Sequence, residues 1–135
     1  MVTSRSITSV RAAMAELREE LSNPAEVFGI DCDVSSEASV ARLADFAASQ
    51  MGRVDVWINN AGYSGSYKPF LELSPSAMSQ VVSTNLVGSL LCTQAAMRVM
   101  QTQPEGGHVF NMDGAGADGM PTPMYAAYGA TKAGT

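Results

Sequence analysis

Short apolar runs alternate with helix-length amphipathic stretches along the whole 135-residue chain, and that alternation restricts the fold more than any other feature. Met1 to Ser4 reads as the tail of a strand. Ile7 to Ser22 follows as a helix with Ile7, Val10, Met14, Leu17 and Leu21 on one stripe, stopped by Asn23-Pro24. Glu26 to Val34 reads as a second strand. Ser35 or Ser36 then caps a helix that carries Val40, Leu43, Ala44, Ala47 and Met51 inward and ends at Gly52. Val54 to Ile58, VDVWI, has the unbroken apolar character of a strand buried on both faces of a parallel sheet. After a loop rich in Gly, Ser and Tyr, Ser74-Pro75 starts a helix that runs to about Met100, with Ser as N-cap and Pro at the first helical position. Pro104 to Gly107 turns the chain into a strand, His108 to Met112, and Thr122-Pro123 precedes a last helix. Strands separated by helices predict the α/β class, a doubly wound parallel sheet with right-handed crossovers.

At this length the chain is at most one domain, and 46% hydrophobic with 16% charged residues is enough to bury a core. The net charge of -5 and the scatter of eight Lys and Arg residues leave no basic stripe, which argues against nucleic acid and against electrostatic membrane binding. Cys32 and Cys92 are far apart and the chain has one His, so neither a zinc site nor a disulfide framework is expected, and a reducing compartment fits best. No apolar run approaches the roughly 18 residues of a membrane helix, and MVTSRS resembles neither a signal peptide nor a transit peptide, so a soluble polypeptide is expected.

Ligands of such sheets bind beyond the carboxyl ends of the strands. The unusual residues fall there: Ser4-Arg5-Ser6, Asp33-Val34, Asn59-Asn60-Ala61-Gly62 and Asp113 to Gly116. The last helix carries Tyr128 and Lys132 four positions apart, which sets a phenol and an ammonium on one face. A nearby cation favours phenolate, so Lys132 is expected to lower the pKa of Tyr128 from its reference of about 10 and to make it an acid or base near neutral pH. Each feature also has a plainer reading. The Tyr and Lys can mark a half-exposed helix face, Asp33 a carboxylate favoured at a helix N-terminus, Gly62 a strand-ending turn, Asp113 a loop cap, and Asn85 a mid-helix residue on a solvated face.

Taken together, Asp33-Val34, Asn59 to Gly62, Asn85, and Tyr128 with Lys132, in this order and spacing, resemble the short-chain dehydrogenase/reductase family over essentially the whole chain. The resemblance implies a Rossmann-like fold and a nicotinamide cofactor. It implies that Asn59 to Gly62 turns over the adenosine side, that Asp33 accepts from the adenine amino group, and that Val34 packs on the ring. Tyr128 would protonate a carbonyl oxygen, Lys132 would hold the ribose hydroxyls, and Asn85 would distort its helix and continue a proton relay through water. Arg5 offers a fork for a 2'-phosphate where no acidic residue stands ready for a 2'-hydroxyl, so NADPH is favoured over NADH, with Ser4 and Ser6 beside it.

VSTNLVGSLLCTQAAMRVM, GGHVFNMDGAG and YGATKAG resemble more narrowly the chlorophyll b reductases, which reduce the 7-formyl group of chlorophyll b or chlorophyllide b to a hydroxymethyl group. That implies a chloroplast location with peripheral thylakoid association, although the chain shows no targeting segment. Most family members have serines at the end of the strand before the glycine loop, one of which polarises the carbonyl. Here Asp113 and Gly114 stand there, and Ala117 follows GAG. A carboxylate donates a hydrogen bond only when protonated, so either Asp113 serves in that form or another donor does. Two alternatives stay open: a short-chain reductase for another aldehyde, ketone or alcohol, and a non-catalytic partner subunit. Association with a like or related chain through the helix after Ser74 is a family expectation.

In this family a first strand with a glycine-rich turn lies between the strand ending at Ser4 and the strand Val54 to Ile58. No such strand is found before Met1, and the final helix stops early, so residues 1–135 are expected to be a partial, internal piece of one nucleotide-binding domain. Two half-sheets with open edges are expected. As a separate polypeptide such a piece is expected to be poorly stable and to bind cofactor poorly.

Overall fold

The computed structural model describes residues 1–21 and 26–134. Four strands, β1 (Val2–Ser4), β2 (Gly29–Asp31), β3 (Val56–Asn59) and β4 (His108–Asn111), alternate with helices α1 (Ile7–Glu20), α2 (Glu37–Met51), α3 (Pro75–Val82), α4 (Gly88–Met100) and α5 (Ala126–Ala133). The predicted end of α1 at Ser22 and its stop at Asn23-Pro24 lie outside the described residues. All pairing is parallel, as the crossover helices require. β1 pairs with β2 from Val2 opposite Gly29 to Ser4 opposite Asp31. β3 pairs with β4 from Val56 opposite His108 to Asn59 opposite Asn111.

The helix ends follow the local chemistry of the sequence. Ser36, not Ser35, is the N-cap of α2, its Oγ accepting from Ser39 N at 3.4 Å, and Gly52 closes the helix at φ 67°. Ser74 Oγ accepts from Ala77 N at 3.2 Å, with Pro75 at the first helical position of α3. Gln103 fixes the entry to β3, since its amide exchanges bonds of 2.8 and 3.0 Å with the Val54 backbone and donates to Gly106 O at 2.7 Å.

α2 and α4 enclose the core, in which Cys32, Val40, Leu43, Ala47, Val54, Trp57, Cys92, Ala96 and Met100 are buried. Burial pushes the Cys92 thiol up to about 11, with the neighbouring Cys32 adding to it, and burial raises Cys32 as well. Both are therefore packed thiols rather than nucleophiles at neutral pH.

Several expectations differ from the structure. The strand expected over Val54 to Ile58, buried on both faces, is regular at Val56–Asn59 and is buried only on the side of Trp57, with Val56 and Ile58 exposed, because α2 and α4 cover one face of it. The strand predicted over Glu26 to Val34 is regular only at Gly29–Asp31, because β1 offers three residues to pair with and the ladder extends no further. The stripe of α1 is buried only at Val10, while Ile7 and Leu21 stay exposed, because a two-stranded sheet is narrower than the helix face laid on it.

The two pairs form separate sheets, β1-β2 and β3-β4, the half-sheets expected from the sequence. Between them lies a cleft of about 400 Å³, lined by Met1 to Thr3 on one side and Val56 to Ala61 on the other, with Val34, Gly88 and Cys92 as part of its wall. Among the described residues no helix is long and apolar enough to cross a membrane, and no group of His, Cys, Asp and Glu is arranged to hold a metal.

Candidate active site

β3 and β4 carry the site at their carboxyl ends. Asn59, the last residue of β3, is a four-way tie: its Oδ1 accepts from Trp57 Nε1 at 2.9 Å, and its Nδ2 donates to Thr93 Oγ1 at 2.9 Å, to Asn111 Oδ1 at 2.8 Å and weakly to Ser89 O at 3.5 Å. It joins β3 to β4 and to α4, so the turn through Asn60, Ala61 and Gly62 leaves a fixed frame. Asn59, Asn60 and Ala61 line the cleft between the half-sheets with Val34.

The glycine loop after β4 passes directly against the start of α5. A Cβ at Gly114 would lie 2.5 Å from the Tyr128 hydroxyl oxygen and 3.0 Å from Lys132 Cε, and one at Gly116 would lie 2.7 Å from the Cα of Gly129. Bare backbone at these two points is what lets the phenol settle on the loop. Lys132 Nζ donates to Met112 O at 2.5 Å and sits 5.8 Å from the centroid of the Tyr128 ring. Cation, phenol and the end of β4 thus meet in one place; the Tyr128 and Lys132 spacing predicts the shared helix face, and the contact with the end of β4 comes from the fold.

Asn85 is buried, not on a solvated face, and it lies in a π-helical segment, Ser83–Val87, that joins α3 to α4. The single predicted helix to Met100 is therefore continuous but widened at this point. Asn85 Oδ1 accepts from Tyr63 N at 2.8 Å, and its Nδ2 donates to Tyr63 O at 3.0 Å and to Thr131 Oγ1 at 3.1 Å. Thr131 in turn donates to Tyr128 O at 2.7 Å, which makes it the link between Asn85 and the turn that carries the phenol. Ser89 Oγ donates to the Asn85 carbonyl at 2.6 Å, satisfying a group that the wider helical turn would leave open. Sequence reasoning misses Thr131; a β-branched hydroxyl set one turn from Tyr128 is the available signal.

Asp113 is tied to the residue that follows it. Its Oδ1 accepts from Gly114 N at 2.6 Å, so the carboxylate caps its own loop. Beyond the carboxyl end of β2, Asp33 Oδ1 accepts from Ser35 Oγ at 2.7 Å and Ser35 N at 3.0 Å. Those bonds, with a smaller contribution from the Arg5 charge, hold its carboxyl below the usual aspartate range against the opposing effect of burial. Arg5 is thus within electrostatic reach of Asp33, beyond the ends of β1 and β2. Ser4 contributes its carbonyl to Cys32 N at 2.9 Å, and Ser6 is the N-cap of α1.

Val34, Asn60 and Ala61 line the cleft between the half-sheets, Arg5 lies within electrostatic reach of Asp33, and Tyr128 with Lys132 offers hydroxyl-binding and proton-donating groups at the carboxyl end of β4, a set of groups that suits a nicotinamide cofactor.

Comparison with known proteins agrees with that geometry. The family profile described as short chain dehydrogenase matches residues 1–135. Chlorophyll(ide) b reductase NOL of rice, a chloroplastic protein, is 47% identical over 133 residues, which cover 98% of this chain and 38% of that one. NOL of Arabidopsis thaliana is 45% identical over 133 residues, with the same coverage of 98% and 38%. The chain thus spans well under half the length of these relatives. Among solved structures, levodione reductase superposes with a TM-score of 0.89 at 29% identity, over 98% of this chain and 50% of that one. The NADPH complex of actinorhodin polyketide ketoreductase gives 0.86 at 29%, over 98% and 49%. With a Rossmann-like α/β fold, a buried asparagine in a π turn and a Tyr and Lys converging on the loop after β4, the chain belongs to the short chain dehydrogenase family.

Proposed function

We propose that this chain is the catalytic part of a reductase that uses NADPH to convert the formyl group of chlorophyll b or chlorophyllide b to a hydroxymethyl group in the chloroplast. The observation that carries the reading is the Tyr128 hydroxyl lying on Gly114 beside Lys132, in a chain 45 to 47% identical to chlorophyll(ide) b reductases of two plants. A nicotinamide cofactor, when bound, would supply the hydride that the formyl carbon takes up. Tyr128 gives its phenol proton to the carbonyl oxygen as the new C–H bond forms, so the aldehyde becomes a primary alcohol and the phenolate is left beside the Lys132 ammonium. Lys132 is tethered to Met112 O, which keeps its charge close to the Tyr128 ring in both states. Asn85 acts as a positioning residue through Thr131, and a water between it and Lys132 would continue a proton relay.

No side chain at 114 shares the carbonyl oxygen, and Asp113 is engaged with its own loop, so Tyr128 and backbone N–H groups polarise the carbonyl. Gly114→Ala is expected to displace the phenol and lower kcat by roughly 10²-fold, the scale of a misplacement of about 1 Å. Because the clash is with side-chain atoms of Tyr128 and Lys132 rather than with backbone, the melting temperature should move by only a few degrees, and an unchanged kcat would contradict the close approach.

Arg5, beside Asp33 at the ends of β1 and β2, is assigned to the 2'-phosphate of NADPH. Arg5→Ser is expected to raise the NADPH KM about tenfold and to narrow the preference over NADH. An unaltered ratio of the two KM values would return Arg5 to the role of a surface residue. Exposed Val82, Val87, Leu90 and Met97 along the outer side of the α3 to α4 helix support association with a second reductase chain.

The deciding experiment expresses the full-length protein containing this chain and follows NADPH oxidation with chlorophyllide b, identifying the product by its hydroxymethyl group. Turnover supports the reading. NADPH binding with no turnover would move it to a different carbonyl substrate or to a non-catalytic subunit.

A further inference from the structure

We propose that Thr122 is a positioning residue for Tyr128, its hydroxyl standing where a side chain at Gly129 would lie and so fixing the first turn of α5 on the glycine loop. This rests on the reductase reading above, which makes Tyr128 the proton donor, and it adds a residue that the reading does not use. Gly129 follows Tyr128 directly and is buried. A Cβ built on it would fall on the Thr122 hydroxyl oxygen, and would lie 3.0 Å from Thr122 Cγ2 and 3.1 Å from Thr122 Cβ. A second contact comes from Gly116, where a Cβ would lie 2.7 Å from the Gly129 Cα and 3.1 Å from its carbonyl oxygen. The loop between β4 and α5 thus meets the same residue of the helix at two points, and the clasp is made wholly within residues 114–129.

Backbone holds the hydroxyl in that place. Thr122 Oγ1 donates to Tyr125 O at 3.3 Å, the same carbonyl that accepts from Gly129 N at 2.8 Å in the first turn of α5. Thr122 therefore bridges the N-cap of the helix and the residue after the phenol. Its own position is set by a tight turn. Tyr125 N donates to Thr122 O at 3.0 Å across Pro123 and Met124, and Met124 has φ 68°. Proline at the second position and a positive φ at the third define a type II turn, in which glycine is the usual third residue. Methionine there is strained, and such a conformation persists only where neighbours fix it. Thr122 against Gly129, and Lys68 N donating to Met124 O at 3.3 Å, are the contacts that do so.

The phenol is then fixed from two directions, its oxygen against Gly114 and its backbone beside the clasped Gly129. A displacement of about 1 Å at the start of the helix is enough to lower the rate by roughly 10²-fold. Thr122→Ala empties the space that the hydroxyl fills, and Gly129→Ala refills it from the helix side, the new methyl keeping the 3.1 Å approach to the Cβ at position 122. The two changes should therefore compensate, as contacting residues do and independent ones do not.

The test uses the full-length protein labelled with fluorotyrosine, the Tyr128 resonance being identified by its loss in Tyr128→Phe. In Thr122→Ala that resonance should move, and in Thr122→Ala combined with Gly129→Ala it should return to the wild-type position. Turnover of chlorophyllide b should follow it, with kcat about tenfold lower in Thr122→Ala and regained in the double variant, while KM for chlorophyllide b and for NADPH stays within about threefold. Thr122→Ser, which keeps the hydroxyl, should recover most of the kcat. A resonance that does not move in Thr122→Ala, or that moves and is not restored in the double variant, overturns the assignment whether or not chlorophyllide b is reduced. So does a kcat that is unchanged in Thr122→Ala, or not regained in the double variant. A resonance that moves and returns, in a protein whose wild type does not reduce chlorophyllide b, upholds the positioning role and removes the assigned reaction instead.

Discussion

Replacing Tyr128 by phenylalanine in the full-length protein is expected to lower kcat by about 10³-fold while leaving NADPH binding within a few fold of wild type. The phenol oxygen is the only atom removed, and it lies where the glycine loop comes closest to α5, against Gly114. The ring packing against Tyr125 at 6.5 Å and the Lys132 bond to Met112 O do not depend on it, so the site should keep its shape. A variant that binds cofactor but does not turn over identifies a proton donor; one that loses binding identifies a packing residue. Loss of less than tenfold would mean that protonation comes from elsewhere, and a solvent-accessible donor would then have to be sought on the loop after Asp113. Comparing Tyr128→Phe with Gly114→Ala separates removal of the group from its displacement.

Features set by local chemistry are legible in the chain itself. Ser36, Gly52 and Ser74-Pro75 mark helix ends because a hydroxyl, a positive φ and a ring-locked first position act within one turn of backbone. VDVWI announces a strand by composition, but not its burial, since Val56 and Ile58 are exposed while Val54 and Trp57 are buried, and the half-sheets follow from the family resemblance. Tyr128 and Lys132 stand out because both lie on one helix. What depends on distant partners is not legible. Sequence overextends the second strand because its length is set by the three residues of β1 opposite it. Asn85 can be placed on a family pattern, but its burial and the π turn arise from Tyr63 and Thr131, 22 and 46 positions away, which no window of sequence shows. Met124 looks like any loop methionine, and its positive φ goes with the bond between its carbonyl and Lys68, on a loop far away in the chain.

Asn85→Ala is expected to destabilise the protein by about 3–5 kcal/mol, the largest stability effect of any single change at this site. The side chain is 2% exposed and serves three partners at once, so its removal leaves the Tyr63 N–H, the Tyr63 carbonyl and the Thr131 hydroxyl short of partners in a place water does not reach freely. Each orphaned polar group costs about 1–3 kcal/mol, and the cavity left by the amide adds to that. Thr131→Val serves as the internal comparison. It removes one bond to Asn85 and one to the Tyr128 carbonyl while keeping volume, and it should cost about 1–2 kcal/mol. Urea unfolding of the two variants in the full-length protein measures the difference directly. Activity adds a second reading of the same bonds. If Asn85 positions the phenol through Thr131, then kcat should fall in both variants, more in Asn85→Ala, while the NADPH KM changes little. An Asn85→Ala protein as stable as wild type would show that the π turn is held by packing of α3 and α4 rather than by this side chain. Equal losses of stability in both variants would place the effect on the bonds of Thr131 to Asn85 and Tyr128 rather than on the clasp around Tyr63.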